Sequence, residues 1–185
     1  VHYEKWAAAQ VEKVRAALEA QEEELVDRLA RVGEYRDSET GEHVQRMARY
    51  CWIIADELGF DKEQCRFLSL AAQMHDIGKV GIPDGILRKN GRLTPEEFEV
   101  MKRHTLIGQA MLKNSRSPLL RLAEIISVTH HERWDGSGYP FGLEGEVIPI
   151  AGRIAAVADV FDAVTSTRCY KGAWSLADAR NELVA

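Results

Sequence analysis

Apolar positions along the chain recur with a helical rhythm. Val44, Met47, Ala48, Cys51, Ile54, Ala55 and Leu58 keep a 3.6-residue period and predict an amphipathic helix opened by the segment Arg36 to His43. Gly59 follows at the C′ position. Asp61-x-x-Gln64 has the form of a capping box and starts a helix expected to run through His75-Asp76. Thr94-Pro95-Glu96-Glu97 joins an N-cap, a proline at N1 and a glutamate at N3, opening a helix that carries Phe98, Met101 and His104. Ser117-Pro118 starts another, with Leu119, Leu122, Ile125, Ile126 and Val128 on its core side and His130-His131 at its end. Ile150 to Thr165 returns to helix with Asp159 and Asp162 on one face, and Ser175-x-x-Asp178 begins the last.

The first 32 residues lack glycine and proline and are rich in Ala, Glu, Lys and Arg, a strong helix composition. Val11, Leu18, Leu25 and Val32 are spaced by sevens, and Val14 fills the intervening position once before Gln21 and Arg28 replace it. Half a heptad seam of this kind fits either a surface helix or a coiled-coil stalk joined to an upstream receiver or sensor domain, with a homodimer through the stalk. The expected division is therefore a helical linker over 1–33, broken at Gly33, and a domain over 34–185. The opening Val-His-Tyr-Glu-Lys and the unfinished last helix read as the ends of an excised, C-terminally truncated fragment.

Composition narrows the function classes. A 185-residue chain that is 45% hydrophobic buries a sizeable core. A net charge of −5 argues against broad neutralisation of DNA, while leaving room for a small anion in a local cationic pocket. Cys51, Cys65 and Cys169 are scattered and odd in number, so the expectation is buried thiols and a reducing, cytoplasmic setting. No apolar run has the length of a membrane span. The stretch between Glu132 and Pro149 has no periodicity but holds Trp134, Tyr139 and Phe141 among glycines, which predicts an ordered loop folded over a site.

The candidate chemistry lies in the histidines. His43, His75, His104 and His130-His131 follow one another, with Asp159 after them, at steps of roughly 26 to 32 residues, the length of one helix and one connection. Successive helices then each deliver one or two ligands to a shared centre. Glu39 and His43, four apart, share a face if the helix already includes Glu39. Taken alone, His75-Asp76 also fits an ion pair at a helix end, and His130-His131 a pair stabilised by the helix dipole; as ligands, the latter are expected to address two different ions. Imidazole mixed with carboxylate suits transition metals such as zinc, iron or manganese rather than calcium or magnesium.

The set Glu39-x-x-x-His43, His75-Asp76-Ile77-Gly78-Lys79, His104, His130-His131-Glu132-Arg133-Trp134-Asp135-Gly136-x-Gly138-Tyr139-Pro140 and Asp159-Val160-Phe161-Asp162 resembles the HD-GYP domain, a branch of the HD phosphohydrolase superfamily. The resemblance covers about residues 34 to 180. It implies an all-α HD-domain helical bundle, two or three metal ions per chain (iron first, manganese next), and hydrolysis of cyclic di-GMP to the linear dinucleotide or on to GMP. Residue by residue, it implies metal ligation by His75, Asp76, His104, His130, His131 and Asp159, with Asp76 bridging, and by Glu39 and His43 for a third ion. Lys79, Arg168 and Lys171 match residues that face phosphates, and Gly138, Tyr139 and Pro140 shape the substrate pocket. Asp162 stands between a substrate contact and support of the ligands. Cys169 departs from the proline the family usually has between the Arg and the Tyr.

Two metals about 3.5–4 Å apart can share and acidify a water in line with a phosphodiester. The expectation is that Asp76 and Asp159 hold that centre and Lys79 steadies the phosphate or protonates the leaving oxygen. The alternative from another class is a non-catalytic cyclic-dinucleotide sensor on the same fold; retention of all the ligands favours the enzyme. A mononucleotidase of the wider superfamily is opposed by the Gly-Tyr-Pro loop and the His pair.

Overall fold

The computed structural model describes residues 2–34, 41–166 and 174–184, and among them the chain is helical, with no strand and one isolated bridge between Asp135 and Glu144. In order come α1 (His2–Glu34), α2 (Gly41–Glu57), α3 (Lys62–Ala72), a 3-10 turn (Ile77–Gly81), α4 (Asp84–Leu87), α5 (Pro95–Lys102), α6 (His104–Leu112), α7 (Pro118–Thr129), a second 3-10 turn (Gly145–Val147), α8 (Ile150–Thr165) and α9 (Leu176–Val184). The all-α expectation is met.

The end signals act as the sequence predicts. Asp61 and Gln64 close a reciprocal capping box at 2.8 and 3.0 Å, and Thr94 and Glu97 do the same at 3.2 and 2.7 Å. Gly59 ends the α2 segment with φ +84°, a left-handed conformation that glycine adopts without steric cost. The apolar stripes then meet in one core: Met47, Cys51 and Ala55 of α2, Cys65, Leu68 and Ala71 of α3, Leu119, Ala123 and Ile126 of α7, and Ile154, Ala155 and Ala158 of α8. Each large side chain fully buried there contributes about 1.5–3 kcal/mol. The Cys51 thiol, pushed up to about 12 by burial, is an inert part of this core, and Cys65 is likewise buried.

Three boundaries differ from expectation. The helix leading to His75 ends at Ala72, and the chain tightens into successive turns, with His75 N donating to Ala72 O at 3.2 Å and Ile77 N to Met74 O at 3.2 Å. His104 opens α6 rather than extending α5. Its Nδ1 takes the Met101 carbonyl at 2.8 Å and the Thr105 hydroxyl takes that of Lys102 at 2.9 Å, so side chains replace backbone partners at the junction. Finally, Gly33 does not break α1 but lies inside its last turn. A Cβ there would stand 3.3 Å from Ile77 Cα, so glycine lets the helix seat on the turn that carries the central motif. Val26 and Ala30 are buried on the same face, whereas Val11, Val14, Leu18, Leu25 and Val32 stay exposed.

Candidate metal centre

His75 and Asp76 leave the end of α3 in tight turns, His104 starts α6, His130 caps α7 and His131 follows it, while α2 supplies His43 and α8 supplies Asp159. The packing of α2 on α3 and α8, and of α3 and α6 on α7, brings these positions together. Their ligand atoms form two groups, Asp76 with His104, His130 and His131, and His43 with His75 and Asp159, each lying within 4.8 Å of one another. His130 and His131 fall in one of these groups, with ring centroids 4.0 Å apart. His130 still has helical backbone angles (φ −68°, ψ −13°), its N–H donating to Ile126 O at 2.9 Å, and the chain turns away after it.

Asp76 joins the two groups. Its Oδ2 lies 3.1 Å from His75 Nε2 and its Oδ1 lies 3.2 Å from His104 Nε2 and 3.7 Å from His130 Nε2. None of these approaches has hydrogen-bond geometry, and Asp76 Oδ1 and the Nε2 atoms of His75, His104 and His130 are buried without a hydrogen-bond partner. The opposite ring nitrogens are all engaged. His75 Nδ1 meets Ala72 O at 2.9 Å, His104 Nδ1 meets Met101 O at 2.8 Å, and His130 Nδ1 meets Ile126 O and Ser127 O at 3.1 Å. A carbonyl accepts only from N–H, which places the proton on Nδ1 and turns each Nε2 lone pair toward Asp76. Buried polar atoms are otherwise costly to leave unsatisfied, so this donor set fits a divalent cation.

Electrostatics agree at His130 and His131, whereas at His75 they favour the charged imidazolium. Burial lowers the pKa of His130, and burial with the neighbouring His130 lowers that of His131, keeping both neutral as ligands require. Burial also works against a charge on His75, but the adjacent Asp76 carboxylate outweighs it and pushes the pKa up to about 9. Asp76 is likewise held ionised: burial opposes its charge, and Lys79 and His75 overcome that opposition. Lys79 Nζ stands 2.8 Å from Asp76 Oδ2.

Asp162 sits differently from a substrate contact. It is buried, its Oδ2 accepting from His43 Nδ1 at 2.7 Å and from Arg46 Nη2 at 3.0 Å, and its Oδ1 accepting from Arg46 Nε at 2.6 Å. It orients His43, whose Nε2 lies 3.6 Å from Asp159 Oδ1. Arg46 went unremarked in the sequence, although it lies one helical turn beyond His43. Arg153 has its guanidinium over the Trp134 ring at 5.7 Å.

The loop after His131 is ordered, as its aromatic content predicts. Glu132 is buried, and its two oxygens accept from Phe141 N at 2.8 Å and Leu143 N at 2.9 Å. Gly138 packs so closely that a Cβ would stand 2.3 Å from Arg133 N, and the Tyr139-Pro140 bond is cis. Tyr139 lies 4.7 Å from His131, ring to ring. The clamping role of Glu132 was hidden within a motif read for its histidines. Glu39, Arg168 and Lys171, together with Cys169, fall outside the described residues.

No helix among the described residues is long and apolar enough to cross a membrane. The chain is 51% identical over 160 residues to a cyclic di-GMP phosphodiesterase of Thermotoga maritima, covering 86% of this chain and 44% of that protein. It is 48% identical over 159 residues to the cyclic di-GMP phosphodiesterase response regulator RpfG of Xanthomonas campestris, covering 86% and 42%. Against the 3′3′-cGAMP-specific phosphodiesterase 2 of Vibrio cholerae it is 47% identical over 162 residues, covering 88% and 31%. The chain thus spans less than half the length of these relatives. Residues 19–185 match the HD domain, and with its His-Asp centre and Gly-Tyr-Pro loop in place, the chain belongs to the HD domain family.

Proposed function

We propose that this domain hydrolyses cyclic di-GMP, to the linear dinucleotide or on to GMP, at a centre of two or three metal ions, iron first and manganese next. The observation that carries this reading is the convergence on Asp76 of three buried imidazole Nε2 atoms whose other nitrogens are already engaged. The names of the relatives, two of them cyclic di-GMP phosphodiesterases, support the substrate class. His75, Asp76, His104, His130, His131 and Asp159 are assigned to two ions, and Glu39 with His43 to a third.

Bound metal supplies Lewis-acid polarisation of a phosphoryl oxygen and a water acidified toward neutral pH. Asp76, near both groups, holds them in register. Lys79, held beside Asp76, brings a positive charge to the phosphate and a proton donor to the leaving oxygen. Tyr139, Gly138 and Pro140 bound the substrate side, and Arg168 and Lys171 are assigned to the phosphates. Asp162 orients His43 from behind. We assign residues 34–185 to the catalytic unit and the helix over 1–33 to a linker that joins it to an upstream receiver or sensor domain and to a second copy of the chain, in the cytoplasm.

The test is elemental analysis of anaerobically purified protein together with cyclic di-GMP turnover on the same sample. Two to three iron or manganese ions per chain with turnover are expected, and Asp76→Ala is expected to lose both metal and activity. Full metal occupancy with tight nucleotide binding and no turnover would replace the enzyme with a sensor.

A further inference from the structure

The relatives named above include phosphodiesterases for cyclic di-GMP and for 3′3′-cGAMP. These substrates share their phosphodiester ring and differ in a base, so base choice must come from contacts outside the metal centre. Beside that centre Phe98 and Lys102 have no role in the chemistry described so far, and Tyr139, assigned above to the substrate side, joins them to it. Tyr139 lies against His131 at 4.7 Å with an interplanar angle of 31°. Phe98 of α5 lies 6.1 Å from it, the two rings near perpendicular at 82°. One turn along α5, Lys102 holds its ammonium 5.0 Å from the Phe98 ring centre and 5.6 Å from that of Tyr139. Its ion-pair partner is Glu99 Oε1 at 2.6 Å.

The arrangement runs outward from a metal ligand to the surface, where Phe98 is 43% exposed. An exposed aromatic side chain leading away from a phosphate-cleaving centre suits a nucleobase, which stacks on such a ring for about 1–3 kcal/mol. An ammonium over the Phe98 and Tyr139 rings adds direction. Guanine presents two acceptors, O6 and N7, to a donor of this kind, whereas adenine replaces O6 with an amino group that is itself a donor.

Resting on the proposed dinucleotide chemistry, we infer that Phe98, Tyr139 and Lys102 form a base subsite beside the metal centre, in which Phe98 stacks a base of the substrate and Lys102 selects guanine. α5 is thereby a specificity element as well as the support of His104.

Two comparisons test the subsite. In Phe98→Ala, kcat/KM is expected to fall at least tenfold more for cyclic di-GMP than for bis(p-nitrophenyl) phosphate, a diester with no nucleobase, and Phe98→Tyr is expected to retain most of the wild-type value. In Lys102→Met, the preference for cyclic di-GMP over cyclic di-AMP is expected to shrink about tenfold, with Lys102→Arg keeping it. Equilibrium binding of a slowly hydrolysed phosphorothioate analogue of cyclic di-GMP gives a readout apart from turnover, and its Kd is expected to rise about tenfold in Phe98→Ala. Equal losses on both diesters, an unchanged base preference in Lys102→Met, or an unchanged Kd would each overturn the subsite while leaving the phosphodiesterase intact. Wild-type protein that neither cleaves nor binds the dinucleotide would remove both.

Discussion

Asp162 is a buried carboxylate whose oxygens are shared between an imidazole and a guanidinium. Both partners are donors, so two acceptor oxygens are needed and an amide supplies only one. In Asp162→Asn the amide NH2 must face either the His43 N–H or the Arg46 fork, and the orientation of His43 is lost. Metal affinity at the His43 group is expected to fall about 10- to 100-fold, measured as metal retained after dialysis against a graded chelator series, while metal at the Asp76 group is kept. The spacing of Asp159 and Asp162 made their shared face legible in the sequence. Which of the two faces the centre and which lies behind His43 was not, because that depends on where α2 crosses α8.

At the scale of elements, the site is made by short interruptions between helices. α3 stops before His75, α5 gives way to α6 at His104, and α7 ends at His130. Each break frees an imidazole from its helix while its Nδ1 takes a nearby helix carbonyl. These breaks escaped the periodicity reading because hydrophobic spacing continues across them; carbonyl capture by a side chain leaves no trace in an apolar pattern. Gly78 sits where two such elements cross closely. A Cβ there would lie 1.9 Å from His104 O and 2.4 Å from Gly108 N, both backbone atoms with little room to yield. Gly78→Ala is expected to destabilise the fold by about 1–3 kcal/mol, read by chemical denaturation, and to lower metal content by separating Asp76 from His104. Native metal stoichiometry in that variant would show that the crossing does not set the centre.

Over the whole molecule, α1 presents two faces with different partners. Val26, Ala30 and Gly33 are buried against the domain, while Val11, Leu18, Leu25 and Val32 remain 58–68% exposed along the heptad seam. If the seam serves a second chain, sedimentation at rising concentration will show a dimer, and Leu18→Glu with Leu25→Glu will shift it to monomer with little change in thermal stability. A monomer at every concentration for the unaltered protein would count against the seam. The docking of the last turns on Ile77 places any motion of this helix directly behind the His75-Asp76 turn.

Helix identity, the caps at Asp61, Thr94 and Ser117, the apolar stripes and the list of ligand types were set by the sequence alone, since each rests on contacts within a few residues. Only the tertiary structure decided how the ligands divide: His130 and His131 into one group, His75 with His43 and Asp159 into the other, and Asp162 behind them. It also decided that Gly33 continues α1 and that Glu132 clamps the loop bearing Tyr139. These outcomes follow from helix crossings and from hydrogen bonds between distant segments, whose geometry depends on the packing of the entire core.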